Sequence, residues 1–311
     1  MRVLITGGLG FIGCNLAIRC LSYGWEVVIV DNGKTENHLQ RKKIILQKGS
    51  PKIYNTNLKN FLITSKYKNF DVVFHLAALP SVLYSVEEPY KSFKNNVDQT
   101  TLMMLTEANE TSKIGRIVFA SSAAIYGNNV TFPTLENSTP NPESPYGLHK
   151  LMGEQLLKLN CKYSNIDAVS LRYFNVYGPY QYNTGPYATA VSAWLQNIKN
   201  NLPLRKDGTG EQSRDMVYVE DIVSANILAA QYPNKLNGEC FNIASGSEIS
   251  NNQILDLLAK RFSFNIQQAP FRAGDIMRTC PSIEKAKSIL GYKPEYAFET
   301  GLEHTINSLF K

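Results

Sequence analysis

Val3-Leu4-Ile5-Thr6-Gly7-Gly8-Leu9-Gly10-Phe11-Ile12-Gly13 is the stretch whose reading decides the fold. Its branched apolar start predicts a buried strand, which breaks on glycines and runs into a predicted helix, Phe11 to Leu21. The glycines satisfy G-x-G-x-x-G through Gly8, Gly10 and Gly13, and G-x-x-G-x-x-G through Gly7, Gly10 and Gly13. A tight turn alone would account for isolated glycines. Here the next β-rich run, Val27 to Asp31, ends in an acidic residue about twenty residues on, the arrangement of a dinucleotide-binding βαβ unit. Glycines let the backbone approach a pyrophosphate, and the free N–H groups at the start of a helix favour its charge. Asp31 accepts from ribose hydroxyls and repels a 2′-phosphate, while Asn32-Gly33 offers no arginine to neutralise one. NAD is therefore expected over NADP, with Lys34 the nearest cation in sequence.

Outward from this unit, short β-rich runs alternate with longer helical stretches: Val3 to Thr6, Val27 to Asp31, Asp71 to His75, Arg116 to Ser121 and Ala168 to Arg172. Helices are expected at Glu88 to Ser112 and Tyr146 to Tyr163. Such alternation predicts an α/β fold, a Rossmann-type doubly wound parallel sheet. After Arg172 the sequence loosens into Gly-, Pro- and Tyr-rich stretches before strands at Met216 to Val219 and Cys240 to Ala244. Helices are expected at Asp221 to Gln231, Asn251 to Phe262 and Ser282 to Leu290. We expect an NAD-binding domain over residues 1–171, with segments of about 216–244 returning to it, and a smaller interleaved C-terminal lobe over 172–311.

Composition narrows the function classes. With 311 residues, 43% of them hydrophobic, the chain can bury a large core and disorder is not expected. No apolar run approaches the roughly 18 residues of a membrane span, and the start of the chain does not read as a secretory signal. Five scattered cysteines without a C-x-x-C pair argue against a disulfide framework or a zinc site and for a reducing compartment. The +6 formal charge is thinly spread and reads as a solvated Lys-rich surface. The expectations are a cytoplasmic protein with no metal and no nucleic-acid or membrane partner.

Chemistry concentrates in two stretches. Ser144 can cap and Pro145 can open a helix on which Tyr146 and Lys150, four apart, share a face. An ammonium beside a phenol, together with a positively charged nicotinamide, stabilises phenolate. Tyr and Lys at this spacing also arise by chance, so the second stretch matters: Val118 to Gly127 leaves a strand with Ser121 and Ser122 at its carboxyl end, where α/β sites gather. Asn57-Leu58 and Leu76-Ala77-Ala78 fall where loops from neighbouring strands meet a dinucleotide.

These motifs together resemble the extended short-chain dehydrogenases, most closely the UDP-hexose 4-epimerases and, among them, the bacterial UDP-N-acetylglucosamine 4-epimerases. The resemblance runs nearly end to end. It takes in the glycine loop (Gly7, Gly10, Phe11, Ile12, Gly13), His75 to Ala78, Asn96-Val97, Ser121-Ser122, Tyr146 with Lys150, and Arg172 to Pro179. Gly208 to Asp221, Arg272 to Asp275 and Leu290 to Pro294 extend it to the C-terminal end. It implies that Tyr146 is the base, that Lys150 also holds the nicotinamide ribose, that Ser122 assists at the sugar hydroxyl and that Tyr173 lies by the nicotinamide. Asp31, Asn32, Asn57, Leu58, Leu76, Ala77, Ala78 and Asn96 would contact the rest of NAD. Ser81, Asn175, Arg214, Arg272, Asp275 and Thr279 would contact a UDP-sugar, the arginines because planar guanidinium forks suit phosphate oxygens. Three positions depart from the pattern: Asn57 replaces an Asp, Gln99 a Gly and Tyr84 an Arg.

Related dehydratases hold a Thr-Asp-Glu run where this chain has Ser122-Ala123-Ala124, and alanines supply no proton for eliminating water. Release of a reduced product would call for NADPH, against Asp31. A closed redox cycle through a 4-keto sugar remains, with NAD regenerated at each turnover. Two alternatives stay open: another nucleotide sugar such as a UDP-uronic acid, for whose carboxylate no cationic partner is identified, and a non-catalytic binding member, against which the intact Tyr146 and Lys150 speak. The resemblance further implies a homodimer joined through the helices at Glu88 to Ser112 and Tyr146 to Tyr163. It also places Thr279 at the C2 side of the hexose, where a small residue admits an N-acetyl group; simple packing beneath the nucleotide is the competing reading.

Overall fold

Alternation along the first strand explains why it lies inside a sheet covered on both faces. Val3 and Ile5 pack with Leu16, Ala17, Val27, Ile29, Phe74 and Val118, whereas Leu4 packs on the opposite face with Val28, Phe61, Val73, Ile117 and Leu157. The structure, a computed structural model, describes residues 1–35, 37–63, 69–102, 105, 114–128, 131–164, 166–182, 189–271 and 277–310.

In chain order the first half runs β1 (Arg2–Thr6), α1 (Phe11–Ser22), β2 (Glu26–Asp31), α2 (His38–Lys48), β3 (Lys52–Asn55), α3 (Leu58–Leu62), β4 (Val72–His75), α4 (Val82–Glu87), α5 (Pro89–Phe93), β5 (Arg116–Ser122), α6 (Pro145–Tyr163) and β6 (Asp167–Tyr173). The second half adds β7 (Asn175–Tyr177), α7 (Ala190–Lys199), β8 (Leu204–Asp207), β9 (Ser213–Tyr218), α8 (Val219–Gln231), β10 (Glu239–Ile243), β11 (Glu248–Ser250), α9 (Asn251–Ala259), β12 (Ile266–Ala269) and α10 (Phe298–Phe310). Seven strands form one parallel sheet in the order β10-β6-β5-β4-β1-β2-β3. The order reverses between β1 and β4, and the crevice at the carboxyl ends of these strands is where a doubly wound sheet binds its ligand. The Rossmann-type reading of the sequence holds.

Within the 216–244 segment, the structure divides what the sequence joined. α8 and β10 return to the large sheet, but β9 pairs with β7 and β11 in a separate three-stranded sheet. The return of β10 is held by a buried ion pair. Arg116 binds Asp167 at 2.6 Å and donates to the carbonyls of Ala229, Tyr232 and Asn234, while Asp167 accepts from the N–H groups of Leu236 and Asn237. A second small sheet pairs β8 with β12, and Tyr177, Trp194, Leu204, Tyr218, Leu255, Leu258, Leu302 and Ile306 form the core of this lobe.

The helix expected from Glu88 to Ser112 is an α-helix only over Pro89–Phe93 before it widens into a π-helix, Lys94–Leu102; residues 103–104 and 106–113 lie outside the described residues. The hydroxyls of Thr100 and Thr101 donate to the carbonyls of Asn95 and Asn96, five residues back, which favours the wider turn. Likewise, the stretch expected as a helix at Ser282 to Leu290 ends in a π-helical turn, Ala286–Leu290, and α9 stops at Ala259 short of Phe262. α2 and β3 carry no clear apolar signal because α2 buries only Arg41 and Ile45 and β3 buries no residue. No helix among the described residues is long and apolar enough to cross a membrane.

Candidate active site

The glycine loop joins β1 to α1 at the crevice. Gly7 has φ +69°, and a Cβ there would lie 2.9 Å from the Ala77 Cα, so glycine is required by both backbone conformation and space. At Gly13 a Cβ would lie 2.4 Å from the Gly7 carbonyl oxygen. Gly10 is the N-cap of α1 and no side chain caps the helix, which leaves its first N–H groups, at Phe11, Ile12 and Gly13, uncapped by any side chain toward the loop. A Cβ-free cradle at a helix N-terminus fits a pyrophosphate.

Asp31, at the end of β2, is nearly buried; one carboxylate oxygen accepts from the Leu9 N–H at 2.9 Å and the other from the Gly33 N–H at 2.8 Å. These bonds hold the carboxylate against the loop with lone pairs left for ribose hydroxyls. Asn32 accepts from the Lys34 N–H. Asn57 caps α3, accepting from the Asn60 N–H at 2.8 Å, and Leu58 is buried in the core. Leu76 and Ala77 are hydrogen bonded to Thr6, through its carbonyl and its hydroxyl, and Ala77 closes over Gly7 with Ala78 following. Asn96 is committed to the same loop: its Oδ1 accepts from the Leu79 N–H at 2.7 Å and its amide donates to the Leu79 carbonyl at 3.1 Å. These two bonds fix the 76–79 loop. Ser81 caps α4, accepting from the N–H of Tyr84.

Ser122 ends β5 and accepts from the Ala124 N–H. Ser144 caps α6 by accepting from the Gly147 N–H, as the sequence suggests, and Pro145 opens it. Burial pushes the Tyr146 phenol up to about 12, with the neighbouring Ser122 hydroxyl acting against the rise. Lys150 is 4% exposed and donates to the Ala120 carbonyl at 2.7 Å, and its Nζ lies 5.8 Å from the Tyr146 ring centroid. Burial brings its ammonium down to about 8, against the pull of Glu154. Both shifts have one cause: a dry environment penalises whichever form is charged. His75, beside this cluster, is hydrogen bonded to Thr6 and is held neutral, its pKa lowered by burial to about 3.

In the small lobe, Asn175 on β7 donates to the Asp215 carbonyl at 3.1 Å and lies 3.5 Å from the Thr279 hydroxyl, which accepts from the Asp215 N–H at 3.0 Å. Arg214 stands on β9 beside them. Tyr173 is buried at the end of β6 with its hydroxyl bonded to Asn226. Arg272 and Asp275 lie outside the described residues, and the side chain of Gln99 is likewise not described. Among the described residues, no cluster of His, Cys, Asp and Glu could hold a metal ion.

A family model described as the NAD dependent epimerase/dehydratase family matches residues 3–244. This chain belongs to that family. A putative UDP-glucose 4-epimerase of Methanocaldococcus jannaschii is 35% identical over 312 residues, covering 98% of this chain and 97% of that one. Among solved structures, the UDP-N-acetylglucosamine 4-epimerase of Methanobrevibacter ruminantium M1, in complex with UDP-N-acetylmuramic acid, superposes with TM-score 0.89 at 30% identity, covering 99% and 98% of the two chains. The UDP-glucuronic acid 4-epimerase of Bacillus cereus, in complex with UDP-glucuronic acid and NAD, does so with TM-score 0.88 at 29% identity, covering 100% and 99%.

The chain is thus an NAD-dependent enzyme, and within this epimerase/dehydratase framework two residues escaped the sequence reading. The Ser85 hydroxyl, fully buried on α4, accepts from the Tyr146 N–H at 3.0 Å and so ties the start of α6 to the loop region after β4. Nothing in the spacing of residues 61 apart signals that bond. Glu154 is the other, and its signal was present: Tyr146, Lys150 and Glu154 recur every four residues on one helical face.

Proposed function

We propose that this NAD-dependent nucleotide-sugar 4-epimerase acts on UDP-hexoses, with UDP-N-acetylglucosamine and UDP-N-acetylgalactosamine its preferred pair and UDP-glucose and UDP-galactose used less well. The observation that carries 4-epimerisation is the half-buried Tyr146 next to Ser122 and beside a buried Lys150, at the carboxyl ends of β4 to β6. With NAD bound along the glycine loop and Asp31, its nicotinamide supplies a hydride acceptor and donor for the sugar carbon. Ser122 holds the sugar O4 and the Tyr146 phenolate takes its proton, then returns it when the 4-keto sugar is reduced from its other face. Lys150 stabilises the phenolate by charge. Because burial pushes the phenol up to about 12, the phenolate is populated at neutral pH only when positive charge stands next to it. Ala123 and Ala124 place no acid beside the sugar, which favours epimerisation over elimination.

Asn175, Arg214, Arg272 and Asp275 are assigned to the nucleotide diphosphate, and Thr279 to the C2 side of the hexose. Small size and a position hydrogen bonded between Asn175 and Asp215 support the assignment of Thr279. Since NAD is regenerated in each cycle, the purified protein should contain NAD and epimerise UDP-sugars with none added. The check is acid extraction and chromatography of the cofactor alongside NMR of a panel of UDP-sugars that includes UDP-glucuronic acid. NADP in the extract would refute the role of Asp31, and exclusive turnover of the uronic acid would refute the hexose assignment.

A homodimer is part of the same proposal. Val82, Leu83, Val86 and Tyr90 on α4 and α5, and Leu148, Leu159 and Tyr163 on α6, are large apolar side chains left exposed on neighbouring helices. Light scattering should give twice the mass of one chain, and Leu148→Glu with Leu159→Glu should halve it. A wild-type mass of one chain would remove the proposal.

A further inference from the structure

Behind the Tyr146 and Lys150 pair lies a second charged group from the same helix. Glu154 is 4% exposed, four residues past Lys150. One of its oxygens accepts from the Ser121 hydroxyl and, at 2.9 Å, from Arg172 Nε; the other accepts from an Arg172 terminal nitrogen at 2.7 Å. Arg172 also donates to the Tyr126 hydroxyl at 2.7 Å and the Glu136 carbonyl at 2.9 Å. A buried ion pair rarely stabilises a fold more than well-packed apolar residues do, so its presence invites another explanation. Its placement supplies one. Ser121 and Arg172 are partners across β5 and β6, each one residue before Ser122 and Tyr173, which are also paired. One carboxylate on the catalytic helix therefore grips both strand ends at the site.

We propose that Glu154 is a positioning residue for proton transfer: clamped by Ser121 and Arg172, it fixes α6 on the sheet so that Tyr146 meets Ser122, and its charge keeps Lys150 an ammonium. The inference rests on the reading of Tyr146 and Lys150 given above. The groups facing Lys150 allow it to be isolated. Tyr146, His149 and Glu154 come from its own helix, His75 from β4, the Phe119 ring and the Ala120 carbonyl from β5, and Arg172 from β6 through Glu154. Burial holds both histidines below their ordinary range, so neither takes up charge in the range where Lys150 loses its own. Glu154 acts in the opposite sense, favouring the ammonium.

The test compares wild type, Glu154→Gln and the double variant Glu154→Gln with Arg172→Met. The double variant also removes the arginine charge that the single one would leave buried without its carboxylate, and decides the matter if the single one fails to fold. Turnover should fall as pH rises through the Lys150 titration, and in the variants that limb should move about one unit toward acid. The turnover deficit would then grow from about twofold at the acid end to about tenfold at the alkaline end, with KM within about twofold. Lys150 Nζ, followed directly by NMR of protein labelled with ¹⁵N-lysine and assigned with Lys150→Met, should titrate lower by the same shift. A folded double variant whose limb and Nζ titration coincide with wild type overturns the proposal. A Tyr146→Phe control that retained turnover would overturn the underlying reading and this proposal with it. Loss of turnover there, with no shift in the Glu154 variants, overturns the proposal alone.

Discussion

Tyr146→Phe should lower turnover at least 100-fold while the protein stays folded and keeps its NAD. The substitution removes only the hydroxyl. The Tyr146 N–H still donates to Ser85, the Ser144 cap and Pro145 still open the helix, and Lys150 still donates to the Ala120 carbonyl. What is lost is the proposed proton carrier beside Ser122. A positioned acid–base group contributes roughly 100-fold or more, about 2.7 kcal/mol of barrier. Steady-state epimerisation with the retained cofactor measures it, and turnover within about tenfold of wild type would mean that another group moves the proton.

The second large effect concerns the sugar. Thr279→Tyr should depress kcat/KM for the N-acetylated pair by about 10- to 100-fold, with a much smaller loss for UDP-glucose and UDP-galactose. Bulk excludes the larger ligand outright, whereas an open pocket rejects a smaller one only weakly. The Thr279 hydroxyl accepts from the Asp215 N–H, so any replacement that lacks a well-placed oxygen also disturbs β9. Thr279→Val separates the two causes: it removes the hydroxyl at nearly constant shape and should affect both sugar pairs alike. Equal losses for both pairs in Thr279→Tyr, or none, would refute the C2 assignment.

Interactions within a few residues are legible in the amino-acid order itself. The strand, the glycine turn and the uncapped helix start at Gly7 to Gly13 are local geometry, and so are the Ser144 cap and the shared face of Tyr146 and Lys150. Short runs of β-branched and apolar residues likewise locate the buried strands of the large sheet. β3 and α2, which bury little apolar area, leave no such signal.

By itself, then, the sequence determined the parallel sheet, the glycine loop, the acidic end of β2 and the shared helical face of Tyr146 and Lys150, because each follows from periodicity or from a spacing along one element. Tertiary structure alone decided which distant groups meet them. It gave Tyr146 its Ser85 partner, committed Asn96 to the Leu79 backbone and Asn57 to a helix cap, and sent β9 to the small sheet. It also closed Glu154 onto Ser121 and Arg172. The physical reason is that these bonds join residues from separate elements. Whether a polar side chain is engaged by the protein or left for a ligand depends on what packing brings beside it.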